Sequence, residues 1–265
     1  MTRDTWVSEV GREADGNNGG SSRLKLKSYQ EMSLVDVDAS PLRGRVVIKA
    51  MLHVKVAGNE RLHRVTVGSL SVPWVEGRSN SYGIETGAST FRSSRHGEAA
   101  WTPDGGDLCR VILGQGGSAW GMAEATPTDP QGWQTIAVDP KVVALRGAGL
   151  SDGFVLFDDT GTEWTRDGEK FTLRHMPNRY VYSRDQNAAS APYFTVELGS
   201  EDRTPPAVPA KLTADATDLP PGELRLTWPT PADRGPAGVA GFLVEVDGRP
   251  VLRSLVLLAG RSGRK

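Results

Sequence analysis

A chain of 265 residues is long enough to bury a substantial core, in one large domain or two smaller ones. Its formal net charge of −1 excludes the basic excess that a general nucleic-acid or anionic-membrane surface needs. The 31 glycines and 17 prolines suit many turns between short strands; the single cysteine, Cys109, excludes an intrachain disulfide and a cysteine-built metal cage, and no apolar run reaches the roughly 18 residues of a membrane span.

In chain order, "MTRDTWVSEV" moves straight into strand-like sequence and places Trp6 in the core, without the basic, apolar, small-residue order of a secretory leader. "LKLK" (24–27) alternates polar and apolar residues. "VVIKAMLHVKV" (46–56) predicts a long half-buried strand: Val46, Ile48, Ala50, Leu52, Val54 and Val56 on one face, with Val47, Lys49, Met51, His53 and Lys55 on the other. "RVTV" (64–67), "LCRVIL" (108–113), "TIAV" (135–138), "KFTL" (170–173), "YVY" (180–182) and "YFTVEL" (193–198) predict further strands. "GFVLF" (153–157), apolar on both faces, reads as a central one. Turn-forming stretches such as "DGNNGGSS", "GQGGS", "TPTDPQG" and "RDQNAASAP" separate them. Only "DPKVVALRGAG" (139–149) suits a short helix, so the helices that a parallel α/β fold needs between its strands are missing. The expected fold class is all-β, a jelly-roll-like antiparallel sandwich over residues 1–200. At "GSEDRTPPAVPA" (199–210) prolines predict a linker, and strand-like "KLTA", "ELRLTW" and "GFLVEVDG" follow in a second unit, 201–265.

Two resemblances rest on ordered motifs. "TPPAVPAKLTA", "GELRLTWPTPAD" and "GVAGFLVEVDGRPV" resemble the opening of a fibronectin type III domain, which implies that Trp228 is a core anchor and that Phe242 stands where the family usually has tyrosine. The family's later strands have no counterpart, so an incomplete unit is expected. Residues 4–198 resemble the DNRLRE (disaggregatase-related) domain, a jelly-roll module related to carbohydrate-binding modules. The order "DTWVSE", "LKLKS", "LVDVDASPLRGRVVIKAMLHVKV", "VPWVEG", "GWQTIAVDP", "GFVLFDD" and "VYSRDQNAASAPYFTVEL" carries it. The resemblance implies non-catalytic association with a polysaccharide within a larger, usually extracellular, multidomain protein.

Signals for catalysis fail one by one. Asp159-Thr160-Gly161 in "FVLFDDTGTEW" matches the aspartate turn of a pepsin-like protease, but such a site needs two aspartates sharing a proton and this chain holds one copy. The turn reads more simply as an acidic loop closing a hairpin, in which Asp158, Asp159 and Glu163 offer hard oxygen ligands that suit a structural calcium. "GQGGSA" (114–119) is not followed by the helix that a dinucleotide fingerprint requires. Trp120 stands where a nucleophile elbow around Ser118 needs glycine, and His53, His63, His96 and His175 share no metal-ligand spacing. No carboxylate pair for glycoside cleavage stands in a recognisable setting.

Tryptophan is the remaining signal, because the C–H faces of sugars stack on aromatic rings while neighbouring polar groups hydrogen-bond their hydroxyls. Trp101, Trp120 and Trp164, with Arg166 beside the last, lie in polar Gly/Pro-rich segments and are the candidate carbohydrate contacts. Trp74 is expected to be structural, Trp133 to cap the sandwich core, and Arg184 to be an ion-pair partner. The expectation is a polysaccharide-binding module of a secreted or surface protein, with a cytoplasmic location as the alternative. The rival functions are a spacer or adhesion module that binds protein, and an acid protease or glycoside hydrolase.

Overall fold

The computed structural model describes residues 1–112, 118–158, 163–174, 177–239, 241–246 and 249–257, with 163–166, 171–174, 243, 245–246 and 249–257 described through the backbone only. With 37% of its residues in strands and few, short helices, the molecule is all-β. The strands are β1 (Arg3–Ser8), β2 (Arg23–Leu26), β3 (Glu31–Asp36), β4 (Arg45–Lys55), β5 (Arg64–Ser69), β6 (Ser93–Arg95), β7 (Ala99–Ala100), β8 (Trp120–Glu124) and β9 (Trp133–Val138). They continue as β10 (Phe154–Asp158), β11 (Glu163–Asp167), β12 (Lys170–Arg174), β13 (Arg179–Tyr182), β14 (Tyr193–Glu201), β15 (Thr213–Asp215), β16 (Arg225–Thr227), β17 (Gly241–Val246) and β18 (Arg249–Leu257). No helix among the described residues is long and apolar enough to cross a membrane.

Two antiparallel layers face each other. One is five-stranded, in the order β1-β3-β10-β5-β8; the other holds β14-β4-β9 and the β13-β2 pair, joined where Val56 bridges Val181. Bridges Lys27–Glu31 and Ala125–Ile136 turn the chain from one layer to the other at two corners. Between the layers, Leu52, Val54, Leu24, Leu26 and Ile136 meet Val35, Val65, Val67, Phe154 and Leu156 in one core. The opposite face of the five-stranded sheet is also covered: Leu34, Val155 and Phe157 pack with Leu70, Trp74, Phe91, Trp101, Leu108, Val111 and Ile112 of the long segment after β5. All five residues of β10 are buried for that reason, as its two-sided apolar sequence predicts.

Three local outcomes differ from the alternation. In β4, Ala50 opposes Val196 and Lys49 opposes Glu197, but Leu198 opposes Val47, so Ile48 is the extra residue of a bulge. The bulge inverts the phase: Val47 packs on the core and Ile48 is left exposed, the reverse of the expected faces. The predicted strand 108–113 is instead a helical turn at Leu108–Arg110, capped by Asp107, whose side chain accepts from Arg110 N–H. Leu108, Val111 and Ile112 are spaced three and four apart, so one side of a turn points all of them into the outer core. Among the described residues β10 pairs with β3 and β5, while β11 pairs with β12, so these two strands do not form the expected hairpin.

The predicted helix forms at Pro140–Gly147, where Asp139 caps its start by accepting from Lys141 N–H at 2.9 Å and Val142, Val143 and Leu145 turn into the core. Arg146 fastens its far end, donating to both carboxylate oxygens of Asp36 at 2.7 and 3.0 Å. Beyond β14, β15 pairs with β16 and β17 with β18, and the Trp228 and Phe242 rings meet edge to face at 5.2 Å.

Candidate functional site

The outward face of β14-β4-β9 carries an aromatic group that alternation alone would list as three unrelated surface residues. Because side chains in register share a face, Tyr193 of β14, His53 of β4 and Thr135 of β9 stand in one row, and Lys55 and Trp133 in the next. Tyr193 and His53 stack with ring centroids 4.5 Å apart and planes 9° apart; Trp133 meets the edge of Tyr193 at 5.4 Å. The next row along the sheet is Thr195, Met51 and Ala137.

The site is held from several directions. His53 Nε2 lies 2.8 Å from Thr195 Oγ1 and Nδ1 lies 3.1 Å from Thr135 Oγ1, so both ring nitrogens are partnered and the imidazole plane is set. Partial burial lowers the His53 pKa below its ordinary value, which keeps the ring neutral at neutral pH. Asp129 folds the loop before β9: its Oδ1 accepts from Gln131 N–H and Trp133 N–H at 2.9 and 2.8 Å, and Gly132 takes a positive φ of 88°. That loop fixes where the Trp133 ring leaves the sheet. Tyr193 remains 44% exposed. Chemically the face offers apolar ring surface edged by hydroxyls and ammonium groups, with Lys49 and Lys55 projecting on the same side.

The tryptophans chosen from sequence divide. Trp101 is 2% exposed and its indole N–H donates to Thr90 O at 2.9 Å, so it anchors the outer core and cannot meet a ligand. The Gly/Pro-rich context that suggests a free loop belongs instead to a segment folded onto the sheet. Trp120 is 51% exposed at the edge strand β8, beside Met122 on the same face of that strand, and remains available. The side chains of Trp164, Arg166 and Glu163, and the whole of Asp159, lie outside the described residues. Trp133 is not among the residues packed on the core; its half-buried ring meets Tyr193 on the outward face instead. Trp74 is structural as expected: its ring is buried, donates to Asp152 O at 2.9 Å and lies under the Arg3 guanidinium.

Asp158, proposed from sequence as a calcium ligand, faces the interior. It is fully buried, accepting from Arg179 Nη1 at 3.2 Å and from His63 N–H at 3.0 Å. A cation there would have to displace a buried guanidinium. Arg184 is an ion-pair partner, donating to both oxygens of Glu76. What sequence reasoning missed is the joint placement of His53, Trp133 and Tyr193. Alternation placed His53 opposite the apolar face of its strand, but nothing in the sequence says that this strand neighbours those of Trp133 and Tyr193.

The sequence matches no family model. A comparison with curated proteins also finds no match.

Proposed function

We propose that this chain is a non-catalytic polysaccharide-binding module of a larger secreted or surface protein, and that it grips sugar on the outward face of β14-β4-β9. The observation that carries this reading is the Tyr193–His53–Trp133 group, a rigid half-exposed aromatic surface edged by hydroxyl and ammonium donors. Sugar rings need both: apolar contact for their C–H faces and hydrogen-bond partners for their hydroxyls. The motif order that resembles DNRLRE domains supports the same conclusion, and a near-neutral net charge suits a neutral ligand better than nucleic acid. Exposed Trp120 supplies a second contact on the adjoining layer.

The test is retention of the full chain on immobilised plant, algal and microbial polymers, followed by single variants. Tyr193→Ala and Trp133→Ala should each weaken retention by roughly tenfold, the loss of about 1–1.5 kcal/mol of ring contact. Failure of the wild-type chain to bind any polymer would overturn the proposal and favour a spacer or protein-adhesion module. Retention that survives in both variants but disappears in Trp120→Ala would move the site to the edge of β8.

A further inference from the structure

At the free edge of β1 three carboxylates gather around one point. Among the described residues β1 pairs only with β3, and on its open side the Asp4 N–H donates to Glu76 Oε1 at 2.7 Å. Arg184, in the loop after β13, donates from Nε and Nη2 to the two oxygens of Glu76 at 3.0 and 2.7 Å, and its backbone N–H donates to Asp4 Oδ2 at 2.9 Å. Asp185 follows at the exposed rim. One oxygen from each of Asp4, Glu76 and Asp185 lies within 4.8 Å of the others.

Asp4 separates this cluster from an ordinary acidic patch. Its side chain is fully buried, and its Oδ1 has no hydrogen-bond partner among the described residues. A buried carboxylate oxygen normally finds a donor, since leaving it without one costs about 1–3 kcal/mol or more. Here the group faces like charges. Three carboxyl groups thus face the single guanidinium of Arg184, an excess of acidic oxygens that a divalent cation would offset.

We propose that Asp4, Glu76 and Asp185 form a calcium site that ties the β1 edge to the segment around Glu76 and to the loop after β13. Calcium takes oxygen ligands at about 2.3–2.6 Å, so oxygens on opposite sides of the ion stand up to roughly 5 Å apart, and the three carboxylates fit that span as they stand. Glu76 Oε1 already accepts from Asp4 N–H and Arg184 Nε, whereas Oε2 accepts from Arg184 Nη2 and keeps a lone pair with which Glu76 can hold the ion beside Arg184. Water fills the remaining positions from the exposed side of Asp185. This location is distinct from the acidic turn after β10, whose Asp158 is committed to Arg179.

Isothermal calorimetry and thermal unfolding of the metal-stripped full chain, with calcium chloride as the probe and magnesium chloride for comparison, test the site. One calcium per chain, bound more tightly than magnesium and raising the unfolding temperature, is the expected result. Asp185→Asn, whose side chain is exposed, should weaken calcium binding on the order of tenfold or more while leaving the unfolding temperature in EDTA unchanged. Asp4→Asn should weaken it at least as much, and Asp185→Asn decides the matter should the buried variant not fold. Absence of calcium-dependent heat and stabilisation in the folded wild-type chain overturns the proposal, as does calcium bound with undiminished affinity by Asp185→Asn.

Discussion

Buried charge is concentrated at a few residues, and the Asp158–Arg179 pair is the most enclosed ion pair among the described residues. Asp158 and Arg179 face each other between the layers with side chains 0% and 2% exposed, and Arg179 Nε also donates to Arg61 O at 2.9 Å. Breaking a buried ion pair in a low-dielectric interior is costly, so Arg179→Ala should cost about 3–5 kcal/mol in urea unfolding. The double variant Asp158→Leu, Arg179→Met should cost less than the single one, since both charges of the pair are then replaced by apolar side chains. His53 makes a pH-dependent contribution. Burial lowers its folded pKa below the ordinary value of 6.5, so the unfolded chain binds this proton more readily. The stabilisation from neutral His53 is therefore fully present above pH 6.5 and is lost as pH falls through the lower folded value. Stability measured from pH 7 down to about pH 5 should fall less steeply in His53→Gln than in the wild-type chain; equal slopes would exclude a role for this ring.

Among the elements, local chemistry accounts for most of what formed. Period-two alternation in 46–56, 64–67, 135–138 and 193–198 became β4, β5, β9 and β14, and the proline-started, aspartate-capped segment at 139–149 became the helix Pro140–Gly147. Asp139→Ala removes the acceptor for Lys141 N–H and should cost about 1 kcal/mol, measured as a lowered urea midpoint with unchanged m-value. A loss near zero would mean that the burial of Val142, Val143 and Leu145 holds the helix without its cap. The departures also have physical causes. Ile48 and Val47 exchanged faces because a bulge against β14 shifts the phase, and a bulge depends on a partner strand that alternation in β4 does not identify. Leu108, Val111 and Ile112 carry both a strand-like and a helical spacing over so short a run, and the outer core selected the helical one.

Across the whole molecule, the five-stranded sheet separates two cores, and this arrangement divides stability from surface function. Trp101 belongs to the outer core and Tyr193 to the exposed face of the other layer. Trp101→Ala should therefore cost about 3–5 kcal/mol and lower the unfolding temperature sharply, whereas Tyr193→Ala should change stability little. A Trp101→Ala protein as stable as the wild type would contradict the covered-sheet arrangement. The same division explains why the candidate site was only partly legible. Tryptophan is large, apolar and tipped by one N–H, so an indole in a Gly/Pro-rich stretch suits a ligand platform and a buried anchor equally well. Only the path of the chain over the sheet separates Trp101 from Trp120.

The sequence by itself determined the antiparallel all-β character, the short helix within 139–149 and the apolar central strand at 153–157, because side-chain alternation and capping act between residues a few positions apart. Tertiary structure alone decided which strands lie side by side, and so brought His53, Trp133 and Tyr193 onto one face and Asp4, Glu76 and Asp185 to one edge. Strand pairing joins residues far apart in the chain through backbone hydrogen bonds that every residue type but proline can complete. The order of strands in a sheet therefore leaves little mark on any one segment, and the chemistry of a face belongs to the pairing.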